Sequence, residues 1–333
     1  MSGFAVRALG VVTGWGRGIE ALSAARPAAS PAVLAVQPSV RTGERLRRAT
    51  RECLLAVDAV DALLEDGGLS REDIAGPGTA LVYVTAAAYG ASNRAFIGGG
   101  GGALHFPYTA PSAVPAEVAI EFGLHGPYAV LIGGATATID AMEHARVLLS
   151  RGACARALVL AVETFQECAD VLARGGVGCD APLVEAAVAA LLVRADAAER
   201  GEALERAAPA ESAARERVAP PEPAARERAA PAEPAAPERA VPEAPAARER
   251  AAPPEPAPPE SAAPESAAPE RAAPEAPGAR EFNDTLACAP LIALASARAR
   301  GERRIDLRGA WRGREATTTV GVQGPAHPGW REG

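Results

Sequence analysis

The chain has 333 residues, a formal net charge of −7 and a hydrophobic content of 48%, enough for one globular unit. Its acidic balance, with no contiguous basic stripe, gives no electrostatic footprint for nucleic acid. No lysine occurs, so all 34 basic residues are arginine and every lysine-based mechanism is excluded.

Aromatic residues make up 4% of the chain, which predicts a core of small aliphatic side chains rather than ring clusters. Residues 1–20 show no charged region followed by a long apolar one, and no apolar run reaches the roughly 20 residues of a spanning helix. A cytoplasmic protein without a membrane span is expected.

In chain order, Phe4 to Val12 reads as an apolar strand, and Arg45 to Leu64 as an amphipathic helix, its spacing clearest from Cys53 onward. Ala80 to Thr85 reads as a buried strand, Ala113 to Phe122 as a helix and Tyr128 to Ile132 as a strand. Thr136 to Leu149 reads as a helix and Ala157 to Val162 as another strand. Strands alternate with helices, which predicts an α/β fold with a mostly parallel sheet flanked by helices.

Residues 203–279 repeat units such as AAPERAAPEAP and AARERAAPPEP, with a proline every few positions and almost no large apolar side chain. Such a segment cannot build a core and reads as a disordered linker or insertion. Thr285 to Arg300 then has a helical apolar pattern, and Arg304 to Gly309 and Ala316 to Val322 are candidate strands. A helix and two strands are too small to fold alone, so residues 280–323 are expected to return to the domain formed by residues 1–202. Residues 324–333 form a tail.

Several chemical motifs fail on their own terms. The turn Gly14-Trp15-Gly16-Arg17-Gly18 after the first strand looks like a dinucleotide loop, but Val33 to Val40 supplies no acidic residue for the ribose. Gly98 to Gly102 lacks the Lys and Ser/Thr of a phosphate loop. His105, His125, His144 and His327 show no paired ligand spacing, and Cys53, Cys154, Cys168, Cys179 and Cys288 contain no CxxC pair. No metal and no cofactor is expected.

The informative stretch is Phe122-Gly123-Leu124-His125-Gly126-Pro127, the strand Tyr128 to Ile132, then Gly133-Gly134-Ala135-Thr136-Ala137-Thr138 and a helix ending near Ser150-Arg151-Gly152. In this order the chain resembles the N-terminal half of a β-ketoacyl synthase, a thiolase-like layered fold. Val6 to Leu22 is similar to the family's opening strand and glycine turn, and Leu183 to Arg194 to its GEGAAALVLE strand.

The resemblance implies an elbow at Gly133, Gly134, Ala135 and Thr136, where the family presents its nucleophilic cysteine at a helix N-terminus. Counted from Gly126-Pro127, that position falls on Ala135, and nothing after Gly178 resembles the family's two histidine motifs. It therefore implies no catalytic residue of the family's set, a member of chain-length-factor type, and a heterodimer with a catalytic synthase that is served by an acyl carrier protein. It also implies pairing by sheet extension through Ala157, Leu158, Val159, Leu160, Ala161 and Val162, against the alternative that these form an ordinary buried strand. Two other classes stay open: an acyl-transferring enzyme with a different nucleophile, and a scaffold acting through its Pro-rich tract.

Overall fold

Alternating small aliphatic residues build the strands of the computed structural model, which describes residues 4–24, 33–41, 46, 49–99, 103–166, 183–195 and 283–323. The expected linker 203–279, the tail 324–333, His327, Cys168 and Cys179 lie outside the described residues. All the described residues belong to one unit, Met1–Ser212 with Pro277–Gly333.

The strands are β1 (Phe4–Thr13), β2 (Gly16–Arg17), β3 (Val33–Leu34), β4 (Thr79–Thr85), β5 (Tyr128–Ile132), β6 (Arg156–Glu163), β7 (Leu183–Val184), β8 (Ala186–Arg194), β9 (Arg304–Trp311) and β10 (Arg314–Val322). The helices are α1 (Arg51–Gly67), α2 (Arg71–Ile74), α3 (Gly90–Ile97), α4 (Ala113–Phe122), α5 (Ala135–Ser150) and α6 (Ala289–Ala299). One sheet runs in the order β5-β4-β6-β8-β1-β10-β9, with β2 folded back on β1, while β3 and β7 form a separate pair.

The α/β layering expected from the sequence is present, and the parallel part of the main sheet is confined to β5, β4 and β6 and to the short β1–β10 contact. Between them β8 runs antiparallel to both neighbours, and β9 and β10 form an antiparallel hairpin, so the sheet is mixed. The glycine turn after β1 is a tight hairpin into β2 followed by the 3-10 turn Ile19–Ala24. The turn does not open an α-helix of the kind that cradles a phosphate.

Both faces of the sheet are covered. Along β6, Ala157, Val159 and Ala161 enter the core under α5 and α6, whereas Leu158, Leu160 and Val162 enter the core under α1 and α4. This period of two, buried on both faces, explains the unbroken apolar run in the sequence.

Helix α1 lies so close to β1 that a Cβ at Gly10 would stand 1.9 Å from the Ala59 carbonyl oxygen. Gly10→Val therefore forces the helix off the sheet. It is expected to destabilise the fold by at least about 3 kcal/mol, read as a lowered midpoint in denaturant.

A buried carboxylate ties the two sheets to α1. Glu185 accepts from both terminal nitrogens of Arg51 at 2.5 and 2.6 Å and from the backbone amides of Val36, Phe165 and Gln166. Burial alone would push the Glu185 carboxyl up, but Arg51 and the three amides outweigh it and hold the group below its ordinary range.

Candidate functional site

The site is built at the C-terminal end of β5. Strand β5 ends at Ile132, Gly133 donates its N–H to the Thr85 carbonyl, and Gly134 caps α5, accepting from the Ala137 amide. Ala135 is thus the first residue of a 16-residue helix, where unpaired amides and the helix dipole favour negative charge. The four residues read as the elbow, Gly133, Gly134, Ala135 and Thr136, are brought together as that strand-to-helix turn. The side chain at its apex is a methyl group, only 4% exposed.

The Thr138 hydroxyl is not poised as a nucleophile. Thr138 is buried and donates to the Ala287 carbonyl at 2.5 Å, so its proton is held by backbone rather than by a base. His144 lies nine residues along α5 from Ala135, about 13 Å by the helical rise, and is exposed. His125 is exposed in the turn that precedes β5, at the opposite end of that strand from Ala135.

The thiols among the described residues are likewise unactivated. Burial pushes Cys53 up to about 12 and holds Cys288 well above its ordinary value, and Cys154 is also raised by burial. The Cys288 thiol donates to the Ala186 carbonyl. A raised thiol is a poor source of thiolate at neutral pH.

Beside the elbow stands a buried acid that sequence reasoning did not single out. Glu163, the last residue of β6, accepts from the amides of Ala86 (2.6 Å), Ala87 (3.0 Å) and Ala287 (3.3 Å) and from the Thr85 hydroxyl at 3.4 Å. It joins the turn after β4 to the segment that leads into α6. Complete burial pushes its carboxyl up to about 8, against the opposing pull of those donors. Within that segment Leu286 holds φ 46° and ψ −111°, a strained backbone for a branched side chain.

The elbow is covered by the β9–β10 hairpin. A Cβ at Gly134 would lie 2.3 Å from two ring atoms of Trp311, and one at Gly309 would lie 2.6 Å from the Ala135 carbonyl oxygen. Trp311 also packs against a buried cluster of Ala87, Phe165, Leu183 and Leu286. The only sequence signal for this closure is Arg312-Gly313 between two strands, a two-residue turn whose φ values of 49° and 77° belong to the mirror-image type.

The expected pairing strand needs correction. Ala157, Leu158, Val159, Leu160, Ala161 and Val162 are hydrogen-bonded to β4 on one side and β8 on the other. A strand with both ladders filled cannot extend a sheet. Among the described residues the strands with one partner at the sheet's ends are β5 and β9. Strand β5 carries Tyr128 and Ile132 at 49% and 51% exposure.

Residues 37–182, which include β4, β5, the elbow, α5 and β6, match the family model of the β-ketoacyl synthase N-terminal domain. That part of the chain is similar to a ketoacyl-synthase N-terminal domain. The matched region lies within the mixed sheet and the helices on its two faces. No curated protein matches the chain.

Similar solved structures include the ishigamide ketosynthase/chain length factor, at 19% identity over 59% of this chain and 63% of that one, with a TM-score of 0.46. A β-ketoacyl synthase from Burkholderia phymatum STM815 is 17% identical over 60% and 61%, with a TM-score of 0.48. A ketosynthase in complex with its chain length factor from Xenorhabdus doucetiae is 16% identical over 58% and 79%, with a TM-score of 0.45. The chain spans about three fifths of the first two of these structures. No helix among the described residues is long and apolar enough to cross a membrane.

Proposed function

We propose that this protein is a non-catalytic ketosynthase-like subunit of chain-length-factor type, acting in the cytoplasm with an active synthase in fatty-acid or polyketide biosynthesis. One observation carries the reading: Ala135 occupies the first turn of α5, where a ketosynthase-type elbow needs a thiol. A methyl group cannot attack a thioester, and the Thr138 hydroxyl beside it is engaged with backbone. The Claisen condensation then belongs to the partner, and the acyl carrier protein is met through that partner.

Pairing is proposed through β5. Among the described residues its outer ladder is unfilled, and Tyr128 and Ile132 supply exposed apolar contacts at its two ends. The test is co-expression with a catalytic synthase from the same genome, with a tag on one chain only. A stoichiometric complex that survives gel filtration is expected, and recovery of this chain alone in every such experiment contradicts the reading.

A further inference from the structure

The hairpin over the elbow is fixed from several sides, which matters for what the elbow can admit. Strand β10 pairs with β9 along its length and joins the main sheet through Ala5 and Val6 of β1. Gly309 lets β9 sit directly on the Ala135 carbonyl, and Gly134 lets the indole of Trp311 lie against the helix cap. The ring also packs against the Phe165–Leu286 cluster, and the Arg312 guanidinium lies 5.6 Å from the ring centroid. The ring therefore stands directly against the N-terminal cap of α5.

We propose that the β9–β10 hairpin is a built-in plug of the elbow, with Trp311 filling the space over Gly134 that an acyl thioester would need. The inference rests on reading Gly133 to Thr136 as the elbow. Its consequence is that the chain is closed to acyl groups at two levels, by the side chain at position 135 and by its own indole. Restoring a thiol alone does not open the site.

Ala135→Cys tests this when alkylation by iodoacetamide is followed by peptide-resolved mass spectrometry, which reads the introduced thiol separately from the chain's own cysteines. Alkylation at 135 is expected to be about a hundredfold slower than in the denatured chain, because reaction waits on local opening. Adding Trp311→Ala is expected to raise the rate at least about tenfold, the effect of removing roughly 1.4 kcal/mol of protection. Trp311→Phe, which keeps a ring over Gly134, is expected to stay slow. If the Trp311→Ala protein does not melt cooperatively, Trp311→Leu, apolar but not flat, takes its place with the same expected acceleration.

Rapid alkylation of the single variant overturns the plug, as does a double variant no faster than the single one. A sealed thiol in a chain that fails to pair with a synthase leaves the plug standing and sinks the subunit reading. An open thiol in a chain that pairs does the reverse.

Discussion

Val130→Pro is expected to abolish pairing with the catalytic synthase while leaving the isolated chain folded. The hydrogen bonds from the Leu81 amide to Pro127 and from Gly133 to the Thr85 carbonyl show that odd-numbered residues of β5 face β4. Tyr128, Val130 and Ile132 therefore turn their backbone groups outward. Proline at 130 removes the central outward donor without taking any bond from β4.

The expected loss is at least about 3 kcal/mol of pairing energy, or more than a hundredfold in affinity. Sedimentation of the mixed subunits measures it, with the melting curve of the isolated variant as control. Ile132→Lys, which places a charge on the exposed edge, is expected to weaken pairing in the same direction. Unchanged complex formation in both variants means that the partner docks elsewhere.

The second large effect concerns Glu163. Its carboxyl titrates at about 8 in the fold against 4.5 when free, because burial penalises the charged form. The sign follows directly: the fold is most stable where the acid is neutral. Stability is fully present below about pH 4.5, declines as pH rises through the window up to about 8, and is flat beyond it.

The total change across that window is on the order of 5 kcal/mol, since each pH unit crossed between the two titration points changes stability by about 1.4 kcal/mol. Glu163→Gln keeps a neutral acceptor for the Ala86 and Ala287 amides and removes the titration. Its stability is expected to be nearly independent of pH from about 5 to 8 and to exceed that of the unmodified protein at the upper end. Urea unfolding at several pH values checks this. A rising stability of the unmodified protein over the same window would mean that the surrounding amides hold Glu163 ionised.

These effects lie at different distances from what the sequence makes legible. The bounds of α4 and β5 coincide with the sequence reading, because Gly123 takes the left-handed conformation that ends the helix and Gly126-Pro127 fixes the turn into the strand. Residue 135 at the start of α5 was equally readable, since Gly133-Gly134 interrupts the apolar pattern between strand and helix. The place of β6 in the sheet was not. It depends on β8 returning antiparallel beside it, and a fully apolar strand carries no mark of which neighbours it will have.

The plug was less legible still. Trp311 and Gly134 lie far apart in sequence and meet because the β9–β10 hairpin packs against α5. Glu163 shows the same limit: in the sequence it ends an apolar strand, and its four donors come from two distant segments.

The most direct test of the subunit reading follows elongation of a radiolabelled malonyl-carrier-protein substrate by this chain, by a catalytic synthase and by the two together. Elongation, or a changed product length, that requires the mixture is the expected result. Turnover by the isolated chain would contradict the account, because condensation would then proceed without a thiol at position 135.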